Sequence, residues 1–238
     1  MPEISINSYI KLLKNSGISF FLKNEPNKFY IKKLNEKNKK FKNDISEIIT
    51  LKDLEKFIKD SDNCKLKNHA NSTVISDGNE KSKIMLIGEA PGAEEDKIGK
   101  PFVGAAGQLL NKMLNAINLK REDIYITNIL PWRPPNNRTP TNEEIIECLP
   151  FVQKHIEIIK PELILLLGAT ASKTILNSNT SISKLRGKWH DYKTINHNQT
   201  IGCLVTYHPA FLLRSPQNKK ESWQDLKQFK KRIIDENL

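Results

Sequence analysis

Ile84-Met85-Leu86-Ile87-Gly88-Glu89-Ala90-Pro91-Gly92 is the stretch that decides the fold. Four consecutive apolar residues suit a strand buried on both faces, as in a parallel sheet. The Gly-Glu-Ala-Pro-Gly turn follows, then Ala93-Glu94-Glu95-Asp96, and then Pro101-Phe102-Val103-Gly104 at the start of an amphipathic segment. Such a strand-to-helix mouth aims backbone amides, a carboxylate and an aromatic ring into one crevice. A second island, Tyr207-His208-Pro209-Ala210, closes another apolar run far downstream. The two together predict a pocket for a flat polar ring.

Working outward, short apolar runs at 84–87, 124–128, 163–167 and 203–207 predict four strands. Helical patterns occupy 104–117, 142–159, 169–176 and 220–234. Thr141 reads as an N-cap, with Glu144 completing a capping box. This rhythm predicts an α/β fold, a three-layer α/β/α sandwich on a central, mainly parallel four-stranded sheet. Residues 1–60 read as a helical, basic N-terminal extension, and 61–238 as the main domain. In the extension Ile4, Tyr9, Leu12 and Leu13 suggest one helix and Leu51, Leu54 and Ile58 another, with a solvated linker at 32–42.

The 238 residues are 38% hydrophobic, enough for one sizeable core, and carry a net charge of +11 at pH 7. A basic chain suggests a polyanionic partner, most simply nucleic acid. A plainer source is composition, since lysine, asparagine and isoleucine are abundant throughout. Residues 1–60 alone hold 13 lysines against 8 acidic residues, so much of the excess lies outside the motifs. The sequence has no apolar run long enough to span a membrane and no secretory leader, so a cytoplasmic monomer is the default expectation. Three cysteines, Cys64, Cys148 and Cys203, make no disulfide framework.

The distinctive residues all fall at the carboxyl ends of predicted strands, where open α/β sheets bind ligands. The turn lacks both the G-x-G-x-x-G and the G-x-x-x-x-G-K-[ST] patterns. Six islands instead resemble the family 4 uracil-DNA glycosylases over roughly 61–235. They are Gly88-Glu-Ala-Pro-Gly with Glu95-Asp96; Lys100-Pro-Phe-Val-Gly with Gly107-Gln-Leu-Leu; and Tyr125-Ile-Thr-Asn128. The others are Arg133-Pro-Pro-Asn-Asn-Arg138-Thr-Pro, Arg186-Gly-Lys-Trp189, and His208-Pro-Ala with Leu212-Leu-Arg214.

The resemblance implies hydrolysis of the N-glycosidic bond of flipped-out uracil in DNA, leaving an abasic site in base excision repair. Gly88 and Ala90 line the base pocket, and Phe102 stacks on the base. Asn128 reads the pyrimidine edge, because its amide donates to uracil O4 and accepts from N3–H, a pair that cytosine reverses. His208 stabilises charge on O2, and Glu89 orients or activates water. Related enzymes place a catalytic Asp where this chain has Ala90, and the family shares that absence.

Glu95 is expected to exclude thymine near C5; for both glutamates the plainer role is to favour a helix N-terminus. Asn137 lines the pocket, and Arg138 grips DNA. Leu212, Leu213 and Arg214 form a wedge whose apolar atoms fill the gap and whose arginine reaches phosphate, or else Phe211–Leu213 are a helix turn packed on the core. Two other function classes stay open: a non-catalytic reader of damaged or single-stranded DNA that retains the pocket, and a nucleotide-binding protein.

The resemblance also implies a [4Fe–4S] cluster on four cysteines. Here Ser61 and Trp132 stand at the first and third ligand positions, and only Cys64 and Cys148 remain. Two thiolates do not hold such a cluster, and His69 is a speculative substitute. The expectation is no cofactor, with packing around Trp132 in the cluster's place. A related branch traps uracil covalently through a His in a loop after the second strand; residues 129–142 contain none.

Overall fold

A computed structural model describes residues 45–194 and 200–238. They fall in one compact unit, Ile45–Leu238. The first expected helix of the extension and the linker at 32–42 lie outside the described residues.

Six strands form one sheet in the order β1-β3-β2-β4-β6-β5. They are β1 (Ser76–Gly78), β2 (Ile84–Gly88), β3 (Tyr125–Asn128), β4 (Leu163–Leu167), β5 (Trp189–Lys193) and β6 (Thr200–Thr206). The middle four, β3-β2-β4-β6, are parallel and are the four strands expected from the apolar runs. The edge strands β1 and β5 are antiparallel to β3 and β6. Both edges are polar and short, so no apolar run announces them.

Alternation along the central strands sorts two cores. Met85, Ile87, Ile164, Leu166, Cys203 and Val205 face one way. Against them pack helices α1 (Leu51–Asp60), α4 (Asn142–Ile159) and α5 (Ala169–Ile175). Leu86, Ile126, Leu163, Leu165 and Leu204 face the other way. They meet α3 (Ala105–Asn115) and, further along the chain, α7 (Pro209–Arg214) and α8 (Lys219–Asp235). The three-layer sandwich follows from burying both faces at once.

Caps set the helix starts. Thr141 Oγ1 accepts from Glu144 N at 3.3 Å while Glu144 Oε2 accepts from Thr141 N at 2.8 Å. Thr50 caps α1 in the same way, accepting from Asp53 N at 3.1 Å. Leu54 and Ile58 of α1 are fully buried against α4. The compact unit therefore starts at Ile45 rather than 61: an amphipathic helix that looked like part of an extension completes a core.

Candidate active site

The carboxyl ends of β2, β3, β4 and β6 open into a cleft of about 480 Å³. Glu89, Ala90, Glu95, Phe102, Asn128, Asn137, Arg138, His208 and Arg214 line it. Of the expected site residues, Gly88, Leu212 and Leu213 are not on that lining.

Gly88 acts through what it lacks. A Cβ there would sit 2.3 Å from Asn128 Oδ1 and 2.5 Å from Phe102 Cζ, well inside contact distance. Asn128 ends β3 and is buried; its Oδ1 is the one buried side-chain polar atom among the described residues with no hydrogen-bond partner. An orphaned acceptor at that depth costs about 1–3 kcal/mol, and its retention is a mark of a binding site.

Phe102 is held in a left-handed backbone conformation, φ 52°, which non-glycine residues adopt rarely. Its ring stacks beside the His208 imidazole, with centroids 5.5 Å apart. A Cβ at Gly107 would fall 1.9 Å from the Phe102 carbonyl oxygen, so the first turn of α3 must be bare there.

His208 caps α7, its Nδ1 accepting from Ala210 N at 3.1 Å. That bond puts the imidazole proton on Nε2. Burial pushes the His208 pKa down to about 4, aided by the Arg214 charge and opposed by Glu95. At neutral pH the ring is an uncharged donor.

Glu89 Oε2 accepts from Thr170 Oγ1 at 2.5 Å. Thr170 sits in the first turn of α5; nothing in its surroundings in the sequence singles it out. Glu95 is mostly buried, and both its oxygens are spent on backbone amides. Oε1 accepts from Val103 N at 2.9 Å and Gly104 N at 2.8 Å, and Oε2 from Gly92 N at 3.2 Å. It lines the cleft as expected, but it ties Gly92, at the start of α2 (Ala93–Ile98), to Gly104, at the start of α3.

The loop after β3 carries Asn137, whose Oδ1 accepts from Arg133 Nε at 2.7 Å. Arg138 forms a two-pronged pair with Glu144 at 2.8 and 2.6 Å. Its guanidinium braces the α4 cap while lining the cleft. Of the two readings of Leu212, the structure selects the packed turn over the wedge: it is 1% exposed and packs in the core with Phe102 and Leu110. Leu213 is 43% exposed, and Arg214 is exposed beside the cleft. One turn of helix thus splits the Leu-Leu-Arg run between core and surface.

A family model described as the uracil DNA glycosylase superfamily matches residues 75–227, which holds all of the cleft-lining residues named above. The chain belongs to that superfamily. It is 42% identical to a type-4 uracil-DNA glycosylase of Archaeoglobus fulgidus over 76% of this chain and 92% of the relative. The type-4 enzyme of Pyrobaculum aerophilum is 39% identical, over 75% and 92%. That of Thermotoga maritima is 43% identical, over 66% and 79%. No helix among the described residues is long and apolar enough to cross a membrane.

The positions that the resemblance assigns to cluster ligands carry Ser61, Cys64, Trp132 and Cys148. Cys64 and Cys148 are both buried, and each thiol shifts the titration of the other. The contact with Cys148 holds the Cys64 pKa below the ordinary thiol value and pushes that of Cys148 up. Trp132, 1% exposed, fills the third position, edge-on to Phe151 and donating from Nε1 to Thr73 Oγ1 at 3.1 Å. Ser61 ends α1, and His69 is exposed. Among the described residues no group of three or more His, Cys, Asp or Glu is placed to hold a metal. Cys203 is a core residue of β6.

Proposed function

We propose that the cleft takes up uracil flipped out of DNA and hydrolyses its bond to deoxyribose, as a monofunctional glycosylase of base excision repair. The observation that carries this reading is the buried, orphaned Oδ1 of Asn128, beside Gly88 in a cleft that Phe102 also lines. Uracil N3–H supplies the missing donor. Cytosine presents an acceptor at N3 and would leave the carbonyl unpaired, at a cost of about 1–3 kcal/mol.

With the base against Phe102, bond cleavage sends the glycosidic electron pair to uracil N1 and spreads charge to O2. The Nε2–H of neutral His208 donates to O2 and stabilises that charge without giving up its proton. A donor aimed where charge develops contributes about 10²–10³ in rate. Glu89, one oxygen held by Thr170, offers the other to a water attacking the sugar carbon and accepts its proton. Leu213 and Arg214 meet the DNA beside the extruded base. The protein does this without an iron–sulfur cluster, a reading supported by Ser61 and the buried Trp132 at two of the four ligand positions.

The test is a uracil-containing oligonucleotide incubated with pure protein and then treated with alkali. Strand scission is expected, abolished or much reduced in Asn128→Ala and His208→Ala while duplex binding persists. Intact but retarded DNA would instead mark a non-catalytic reader. Unchanged turnover in both variants would overturn the site. For the cluster, anaerobically purified protein is expected to lack iron and visible absorption; a stoichiometric cluster would refute that part alone.

A further inference from the structure

The Lys100-Pro101-Phe102 segment is held from the far side of the sheet edge by two residues outside every recognised motif. Arg121 lies in the turn before β3. Its Nη2 donates to the Pro101 carbonyl at 2.5 Å, and its Nη1 to the Phe102 carbonyl at 3.0 Å and to Asn111 Oδ1 at 3.3 Å. Its Nε donates to Asp77 Oδ2 at 2.5 Å. Asp77 belongs to β1, and its other oxygen faces Lys100 Nζ at 3.5 Å. The Arg121 and Asp77 side chains are only 23% and 22% exposed.

The pair is therefore shielded from solvent far better than an ordinary surface ion pair. Burial works against ionised Asp77, but the Arg121 hydrogen bond and charge outweigh it and hold the carboxyl below its usual range. A left-handed Phe102 needs such restraint, because the conformation is not one the residue adopts by itself. Arginine suits this position because its planar fork can serve a carboxylate and two carbonyls at once, whereas a lysine ammonium cannot.

From these contacts we infer that Arg121, anchored by Asp77, is a positioning residue that sets the Phe102 ring as the stacking face of the base pocket. Neither residue lines the cleft, so their effect on the base passes through Phe102. The inference rests on the reading of Phe102 as the surface on which the base lies.

The test is the inhibition constant for free uracil, with single-turnover cleavage beside it, in Arg121→Ala, Arg121→Lys and Asp77→Asn, each made also in a Phe102→Leu background. Arg121→Ala is expected to raise the uracil constant about tenfold, within what a base–aromatic stack contributes, and to slow cleavage while undamaged duplex binds as before. Arg121→Lys recovers only part of the loss, and Asp77→Asn shows a smaller loss in the same direction. If Arg121→Ala does not fold, Asp77→Asn carries the test.

In the Phe102→Leu background the same changes are expected to add little. Equal losses in both backgrounds, or no loss with Phe102 intact, would overturn the positioning role. A Phe102→Leu protein that binds uracil normally would refute the stacking reading itself, and the inference would fall for that separate reason.

Discussion

The cleft and the cysteine region are built from the same layers, yet they spend their polar groups in opposite ways. At the cleft, Asn128 keeps an unpartnered carbonyl, His208 keeps a free Nε2–H and Glu89 keeps one oxygen uncommitted. Bare glycines hold open the space around them. In the cysteine region the side chains are packed away: both thiols are buried, and the Trp132 indole donates to Thr73. A site prepared for a ligand carries unmet hydrogen bonds at a cost to stability; a site given over to packing does not.

The sharpest way to break this comparison is Trp132→Ala. It should lower unfolding free energy by about 3–5 kcal/mol, read by chemical denaturation, while the cleavage rate of the folded protein stays unchanged. Loss of rate in step with stability would show that the two regions are coupled. Next come Asn128→Ala and His208→Ala, each expected to reduce single-turnover cleavage about 10²–10³-fold, with the melting temperature of Asn128→Ala unchanged or raised. Gly88→Ala, which forces a methyl group against Asn128 and Phe102, should cost roughly 10²-fold in rate; near-normal activity would mean that the floor of the cleft yields.

A smaller effect concerns pH. His155 is buried with its Nδ1 2.8 Å from the Tyr125 hydroxyl, and burial pushes its pKa down to about 4. The unfolded chain, with a histidine near 6.5, binds protons over a range in which the folded one does not. Stability is therefore full above pH 6.5 and falls as pH drops towards 4, by about 1.4 kcal/mol per unit for this group. His208 acts in the same sense. His155→Gln should remove its share of the slope between pH 6.5 and 5, about 2 kcal/mol, in denaturation curves; an unchanged slope would show that His155 is not the group titrating.

Much of this was legible in the residues. The four central strands could be read because both faces are buried, which writes a continuous apolar run. The α4 start could be read because the Thr141–Glu144 box is local. Asn128 and His208 stood out because motif and strand end coincide, and Phe102 because its motif precedes a helix start. Other features turn on contacts across long sequence separations. Strands β1 and β5 are strands because β3 and β6 offer them hydrogen bonds, not because Ser-Asp-Gly favours extension. Leu212 and Leu213 are chemically identical, and only the direction of α7 sends one into the core and the other to the surface.

The sequence by itself determined the layer order, the family resemblance and the set of groups around the Gly88–Gly92 turn, since these rest on local periodicity and on residue types at strand ends. Only the tertiary structure decided how those groups are held. Arg121 reaches Phe102, Thr170 reaches Glu89, and Cys64 reaches Cys148. The physical reason is that a hydrogen bond or a burial cost depends on where two distant segments meet, and no local pattern records that meeting.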